Sequence, residues 1–386
     1  MKLLRPSLFL ALAAVANAAP AADAPWLARY NGSSPPQVRN AVAVDGSGNT
    51  LVGLSPLNAS FLSTDALVIK YAPDGHELWE RRLDYAGEYD TLTGVAADAQ
   101  GNVFALVNSV LSRGSNAVAV LLKYAPDGTE LWRTTLTGSA PSGAGGAALK
   151  LDAQGQPHVA GYRWNGSSFD ILVAKFDANG TPLWQRQYDG VVGLDDHANA
   201  LALDGAGNVI VAAVSTGRLG RDPQTGTYAE DFLTLKYSPA GTLLWERREE
   251  GYPTVSSDVP RAVAVDAAGG IVVSGDSNNL GAGNATLTDI FTVKYDAAGN
   301  RLWRSLIDGP GHSYDYGAAV SSDAAGNSYV TGQWINAAFR AEIVTTKYDP
   351  AGAVVWQRNY LTSQEDRKST RLNSSHSSVS RMPSSA

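Results

Sequence analysis

The sequence predicts an all-β protein built from one repeated unit, and three observations support this prediction. A Lys–aromatic pair followed nine residues later by Trp occurs six times in the 386 residues. Each copy reads as a strand, a tight turn and the start of a second strand, as in Asp289–Trp303. An Asp-x-x-Gly motif between runs of Ala and β-branched residues also occurs six times, and successive Lys–aromatic pairs lie 52 to 61 residues apart.

Within one repeat, the strands can be assigned in order. The first, strand a, reads Ala-Val-Ala-Val and ends at a turn in which Gly supplies positive φ and Asp bonds back to the turn backbone. Strand b follows with β-branched residues, strand c ends at Lys-Tyr, and strand d carries Leu-Trp. The repeated tryptophans are Trp79, Trp132, Trp184, Trp245, Trp303 and Trp356. The repeated turn aspartates are Asp45, Asp98, Asp152, Asp204, Asp266 and Asp323.

Four antiparallel strands in a period of this length are typical of a β-propeller blade. Alternating Ala in strand a suits the crowded axis of a ring, and Trp in strand d suits the wedge between diverging blades. Six complete blades are predicted, and an orphan outer strand is predicted at 26–32. We expect a native ring of seven blades, truncated here, and a closed six-bladed ring with a stray strand is the alternative. The predicted blades cover residues 40–84, 93–137, 146–190, 198–250, 260–308 and 317–361.

The repeats resemble the bacterial SBBP repeats of seven-bladed propellers and, more distantly, PQQ-type propeller repeats. The resemblance rests on Asp-x-x-Gly-Asn followed by Val-x-Val-x-Gly, and on Asp-x-Phe-x-x-Lys-Tyr followed by Gly-x-x-Leu-Trp. It covers nearly all of residues 26–361 and implies the fold. SBBP repeats have no general chemistry, so the resemblance implies no catalytic residue.

The two ends of the chain do not fit the repeat. Residues 1–18 have a basic start, an apolar core and an Ala-x-Ala cleavage site, so they predict a signal peptide and a secreted, periplasmic or cell-surface protein. The propeller is then assigned to 19–361. Residues 362–386 form a non-domain tail, and Asp366–Ala386 resembles a translated sequencing adapter.

The charge and composition of the chain exclude some classes of binding partner and site. The net charge is −7, and it becomes more negative without the two basic ends, which argues against nucleic acid. The chain has no Cys, so disulfides and thiolate metal sites are excluded. Beyond the signal peptide, no apolar run is long enough to span a membrane, and a monomer is expected.

Acidic residues recur eight positions before four of the turn aspartates, in the loop from strand d to the next strand a. By symmetry these carboxylates could ring the mouth of the central channel and bind a cation, with Ca²⁺ as the candidate and no other cofactor expected. The competing interpretation is that each carboxylate bonds to backbone N–H groups and stabilises the ring. The four residues are Asp90, Asp196, Asp258 and Asp315.

Aromatic residues in the same loops predict a surface that could bind a glycan, peptide or protein. His197, His312 and Tyr314 are the candidates for direct ligand contact. A second set of acids lies five residues before five of the repeated lysines, and it predicts either inter-blade ion pairs with those lysines or hydrogen bonds at the strand start. These acids are Asp65, Asp170, Asp231, Asp289 and Glu342.

No catalytic constellation is visible in the sequence. His-Glu-x-x-His and Gly-x-Ser-x-Gly are both absent, so no catalytic residue and no metal ligand is assigned. The sequence therefore favours a binding or scaffold module that acts through its loop face. The alternative is a propeller enzyme, either a hydrolase or lyase that uses acids at the channel mouth or a relative of the quinoproteins.

Overall fold

The computed structural model describes residues 41–57, 63–85, 89–110, 117–136, 143–221, 228–252, 256–279 and 288–361. Every regular element in these ranges is a β-strand, and no helix there could cross a bilayer. The predicted signal peptide, the orphan strand at 26–32 and the tail at 362–386 lie outside the described residues.

The strands form six four-stranded antiparallel units, each with the strand order a, b, c, d, and a parallel bridge joins the fourth and fifth units into one eight-stranded sheet. Blade 1 contains β1 (Ala41–Val44), β2 (Thr50–Leu54), β3 (Ala66–Tyr71) and β4 (Glu77–Leu83). Blade 2 contains β5 (Tyr89–Ala97), β6 (Val103–Val110), β7 (Ala117–Tyr124) and β8 (Glu130–Leu136). Blade 3 contains β9 (Ala144–Leu151), β10 (Pro157–Trp164), β11 (Phe169–Phe176) and β12 (Pro182–Tyr188).

The other three blades repeat this plan. Blade 4 contains β13 (Asp196–Leu203), β14 (Val209–Arg221), β15 (Tyr228–Tyr237) and β16 (Leu243–Glu249). Blade 5 contains β17 (Ser256–Val265), β18 (Ile271–Asn279), β19 (Asp289–Tyr295) and β20 (Arg301–Ile307). Blade 6 contains β21 (Tyr316–Ser322), β22 (Ser328–Ile335), β23 (Ala341–Tyr348) and β24 (Val354–Leu361). The predicted six blades are therefore confirmed.

The hydrophobic core of the described residues consists of six clusters. Five lie between consecutive blades, and the sixth is formed by residues of blade 1 alone, such as Leu67 and Ile69. Successive residues of one strand serve different clusters, because side chains alternate between the two faces of a sheet. In β14, Val209 and Val211 pack toward blade 3, whereas Ile210 packs toward blade 5. Blade 6 differs, since buried and half-buried residues alternate along β22 and β23. The seven-bladed closure stays a prediction.

The repeated Trp links each blade to the next, as its predicted role as a wedge requires. The indole of Trp303 stacks on Tyr348, and its Nε1–H donates to the carbonyl of Pro350 at 3.1 Å in the c–d turn of blade 6. The same bond to the next blade's c–d turn is made at 2.9 to 3.3 Å by Trp79, Trp132, Trp184 and Trp245. In the described chain, Trp356 of blade 6 instead contacts Tyr329 of its own blade.

The turn aspartates have a role that the sequence did not reveal. Asp266 accepts the backbone N–H groups of Ala268 and Gly270, so the predicted structural turn is confirmed. Its second oxygen lies 3.0 Å from Nζ of Lys294, which is buried in strand c of the same blade. Corresponding pairs at 2.9 to 3.9 Å join Lys70, Lys123, Lys175, Lys236 and Lys347 to their turn aspartates.

The predicted pairing of these lysines with the acids at the start of strand c is therefore wrong. Four of the five acids instead accept a hydrogen bond from the strand d residue seventeen positions further along the chain, and Asp289 is the exception. Asp65 pairs with Arg82 at 3.1 Å, and Asp231 pairs with Arg248 at 3.0 Å. The alternative prediction, hydrogen bonding at the strand start, is confirmed for Glu342, which accepts a bond from Asn336.

Candidate functional site

One face of the ring carries the loops from strand b to strand c and from strand d to the next strand a; we call it the loop face. On this face, the start of strand c pairs in parallel with the start of the next blade's strand a. The pairs are Ala117 with Gly143, Glu230 with Ser257, and Thr288 with Tyr314. Residues that follow these pairs in the two strands are consequently brought close together.

The structure places the four aspartates of the predicted channel ring at four different blade junctions, all with 0% exposure. Asp196 accepts the backbone N–H groups of Gly190 and Thr216 at 2.6 and 3.2 Å. Asp315 accepts those of Gly309 and Ile335. Asp90 and Asp258 each accept one from their own d–a loop, those of Tyr85 and Gly251. The carboxylates thus hold the d–a loops closed.

Burial changes the acidity of these groups. Desolvation raises the pKa of Asp90 and of Asp258 to about 6, although hydrogen bonds from neighbouring serines lower both values. It also raises the pKa of Asp196 and Asp315, where backbone N–H donors oppose it. With a pKa of about 6, Asp90 and Asp258 still ionise at neutral pH, at a cost in stability.

Two of these aspartates belong to groups of three carboxylates. Asp196 lies with Asp170 and Asp189 between blades 3 and 4. Asp315 lies with Asp289 and Asp308 between blades 5 and 6. In each group, one carboxylate oxygen per residue lies within 4.8 Å of the others. Asp189 and Asp308, the middle residues of the two groups, were not predicted from the sequence.

His197 lies at the start of strand a in blade 4. Its imidazole packs against Tyr162 and Phe169 of blade 3, with ring centroids 4.9 and 5.6 Å apart. Desolvation lowers the pKa of His197, so the ring is neutral at physiological pH.

His197 also lines a cavity of about 360 Å³ formed by blades 2, 3 and 4. Its walls come mostly from strands a and b, and they include Thr91, Asn108, Tyr162 and Asn199. No Asp, Glu, Lys or Arg of the described chain lines it. These four residues could not be predicted from the sequence, because they come from three blades and share no local sequence pattern.

His312 and Tyr314 lie elsewhere on the loop face, between blades 5 and 6. The exposed ring of His312 places Nδ1 2.6 Å from a carboxylate oxygen of Asp308, and this hydrogen bond raises the pKa of His312. Tyr314 is 46% exposed and stacks on Tyr316, with 6.3 Å between centroids and 6° between ring planes. The structure therefore does not bring the two histidines into one site.

The repeated four-stranded antiparallel sheets define the chain as an all-β protein of the β-propeller type, and comparisons with known proteins agree. A polysaccharide lyase, Uly1, matches with a TM-score of 0.56 and 10% identity over 85% of this chain and 82% of the lyase. An ulvan lyase of family PL25 matches with a TM-score of 0.53 and 12% identity, over 84% and 87%. At such low identity these likenesses show the fold alone.

Sequence comparison is less informative. No protein-family model matches the chain. An uncharacterised WD repeat-containing protein of Acanthamoeba polyphaga mimivirus is 25% identical in an alignment of 199 residues, and the match covers 40% of this chain. The chain spans only 14% of that relative.

Proposed function

We propose that this chain is an exported propeller of the SBBP kind that binds a neutral carbohydrate in the cavity beside His197. The observation that carries the proposal is a concave site at the junction of three blades, lined by hydroxyl, amide and aromatic side chains. Ligand pockets in proteins commonly have this size, with a few polar groups in an otherwise apolar wall.

The chemistry of the lining favours an uncharged ligand. Hydroxyl and amide groups, such as those of Thr91 and Asn199, can exchange hydrogen bonds with sugar hydroxyls. The rings of Tyr162 and His197 offer apolar surface with a polar edge. An anionic ligand would find no cationic side chain among the described lining residues, and it would meet an acidic protein.

Titration calorimetry of the purified chain against neutral oligosaccharides tests the proposal. His197→Ala should weaken binding at least about tenfold, because it removes ring surface and a polar group from the cavity wall. His76→Ala is the matched control, since His76 lies in an exposed c–d turn on the opposite face. It should bind as tightly as the wild type.

Other outcomes separate the alternatives. Equal binding by wild type and His197→Ala, or binding of a peptide or an anionic oligosaccharide in place of a neutral one, would contradict the proposal. If the oligosaccharide became shorter during the titration, detected as new reducing ends, the protein would be an enzyme rather than a binding module.

A further inference from the structure

Four blade junctions carry the same three acidic positions. The first acid starts strand c, the second follows strand d nineteen residues later, and the third starts the next strand a after six to eight more. The parallel pairing at the junction explains why the first and third come together, since Thr288 and Tyr314 pair directly before Asp289 and Asp315. The four sets are Asp65, Asp84 and Asp90; Asp170, Asp189 and Asp196; Asp231, Glu250 and Asp258; and Asp289, Asp308 and Asp315.

In three of these sets, a side chain of strand d donates to the first acid. Arg82 and Arg248 supply a guanidinium to Asp65 and Asp231 at 3.1 and 3.0 Å. Gln187 supplies an amide to Asp170 at 2.6 Å. Each donor occupies the position seventeen residues after the acid. The three blades therefore stabilise a buried carboxylate with a donor at the same position of strand d.

Blade 5 lacks this donor, because Leu306 occupies the corresponding position. Asp289 is 0% exposed, and its Oδ1 has no hydrogen-bond partner in the described part of the chain. Its Oδ2 accepts a bond from the hydroxyl of Tyr252. A fully buried carboxylate oxygen without a donor is rare in folded proteins, and a bound ion is one of its ordinary explanations. Oδ1 of Asp90 and of Asp258 also lacks a partner in the described chain, but the first acid of each of those two sets is paired with Arg82 or Arg248. In blade 5 it is the first acid itself that lacks the donor.

We propose that Asp289, Asp308 and Asp315 bind one divalent cation, with Ca²⁺ as the best match. Three carboxylates within 4.8 Å of one another supply the hard oxygen ligands that Ca²⁺ prefers, and water can complete the shell. The site lies within one blade junction and so differs from a ring of four aspartates around the channel. It is also separate from the cavity beside His197.

Asp308 is the exposed member of the group, and its Oδ2 lies 2.6 Å from Nδ1 of His312. Asp289 and Asp315 are buried, so the three carboxylates lie where the blade junction meets the solvent.

Calcium titration of the chelator-treated full chain tests the site. Calorimetry should give about one ion per chain with a Kd of roughly 10⁻⁴–10⁻³ M, and 10 mM CaCl₂ should raise Tm by about 2–4 °C. NaCl at equal ionic strength should not reproduce the shift. Asp289→Asn should weaken Ca²⁺ binding at least about tenfold, because it removes a charged ligand.

Two further variants keep the test independent of folding defects. Leu306→Arg restores the guanidinium that blades 1 and 4 use, so it should raise Tm without calcium and abolish the calcium-dependent shift. Asp170→Asn is the matched control in the group between blades 3 and 4, where both oxygens of Asp170 already accept amide donors. It should keep the wild-type calcium response. The absence of a shift in the wild type, or its loss in Asp170→Asn but not in Asp289→Asn, would overturn the proposal.

Discussion

At the scale of single residues, the protein shows how the partners of a buried carboxylate decide its acidity. Burial by itself raises the pKa of Asp204, but hydrogen bonds from Asn208 and Lys236 lower it below the ordinary value. Asp289 has no such cationic partner, and its pKa is raised to about 7. The surroundings of these two carboxylates thus shift their pKa values in opposite directions.

Asp289→Asn should therefore change the pH dependence of stability. The folded protein binds the Asp289 proton more tightly than the unfolded chain does, so stability falls as the pH rises from about 4 to about 7. Without calcium, the variant should be as stable as the wild type near pH 4 and more stable by roughly 2 kcal/mol at pH 8. Urea unfolding in chelator at several pH values measures this.

The comparison isolates one group, because the charged neighbours of Asp289 stay in both proteins. Asp308, Asp315 and His312 are present in the variant as well as in the wild type. A stability difference that stayed constant from pH 4 to pH 8 would contradict the assignment.

At the scale of the element, each a–b hairpin joins a local turn to a buried ion pair. Asp266 closes its turn with one oxygen and pairs with Lys294 through the other. Lys294 also donates to the carbonyl of Gly326 at 2.6 Å in the next blade's a–b turn. The motif thus connects a turn, a central strand and a neighbouring blade.

Asp266→Ala should cost about 3–5 kcal/mol of unfolding free energy, because it leaves the buried ammonium of Lys294 without its counter-ion. Asp296→Ala is the control in the same blade: Asp296 closes the c–d turn in the same way but is not paired with a lysine. It should cost clearly less. Urea unfolding measures both, and equal losses would show that the ion pair adds nothing to the turn.

At the scale of the whole molecule, the blades are held together by the tryptophan contacts and the five inter-blade clusters. The indole of each linked Trp lies against the Gly of the next blade's c–d turn. An added Cβ at Gly299 would lie 2.8 Å from the ring of Trp245. At Gly207, in an a–b turn, the nearest atom would be 3.6 Å away.

Gly299→Ala should consequently destabilise the protein more than Gly207→Ala does. Both glycines have positive φ, at +83° and +77°, so the backbone strain is matched. Gly299→Ala should lose about 1–3 kcal/mol more unfolding free energy than Gly207→Ala, and this difference measures the cost of separating Trp245 from the next blade. Calorimetric unfolding of the two variants checks it, and equal losses would mean that the close packing at this contact is unimportant.

The strands, the turns, the number of described blades and the packing of Trp between blades could all be predicted from the amino-acid sequence. Those features depend on contacts over a few residues, such as Asp266 to Gly270, or on side-chain size, and both recur visibly in each repeat. The pairing of the charged residues became visible only in the folded chain. Lys294 contacts Asp266 rather than Asp289, and Asp289 meets Asp308 and Asp315. These contacts depend on strand register and on the packing of blade against blade, which join residues without a common local pattern.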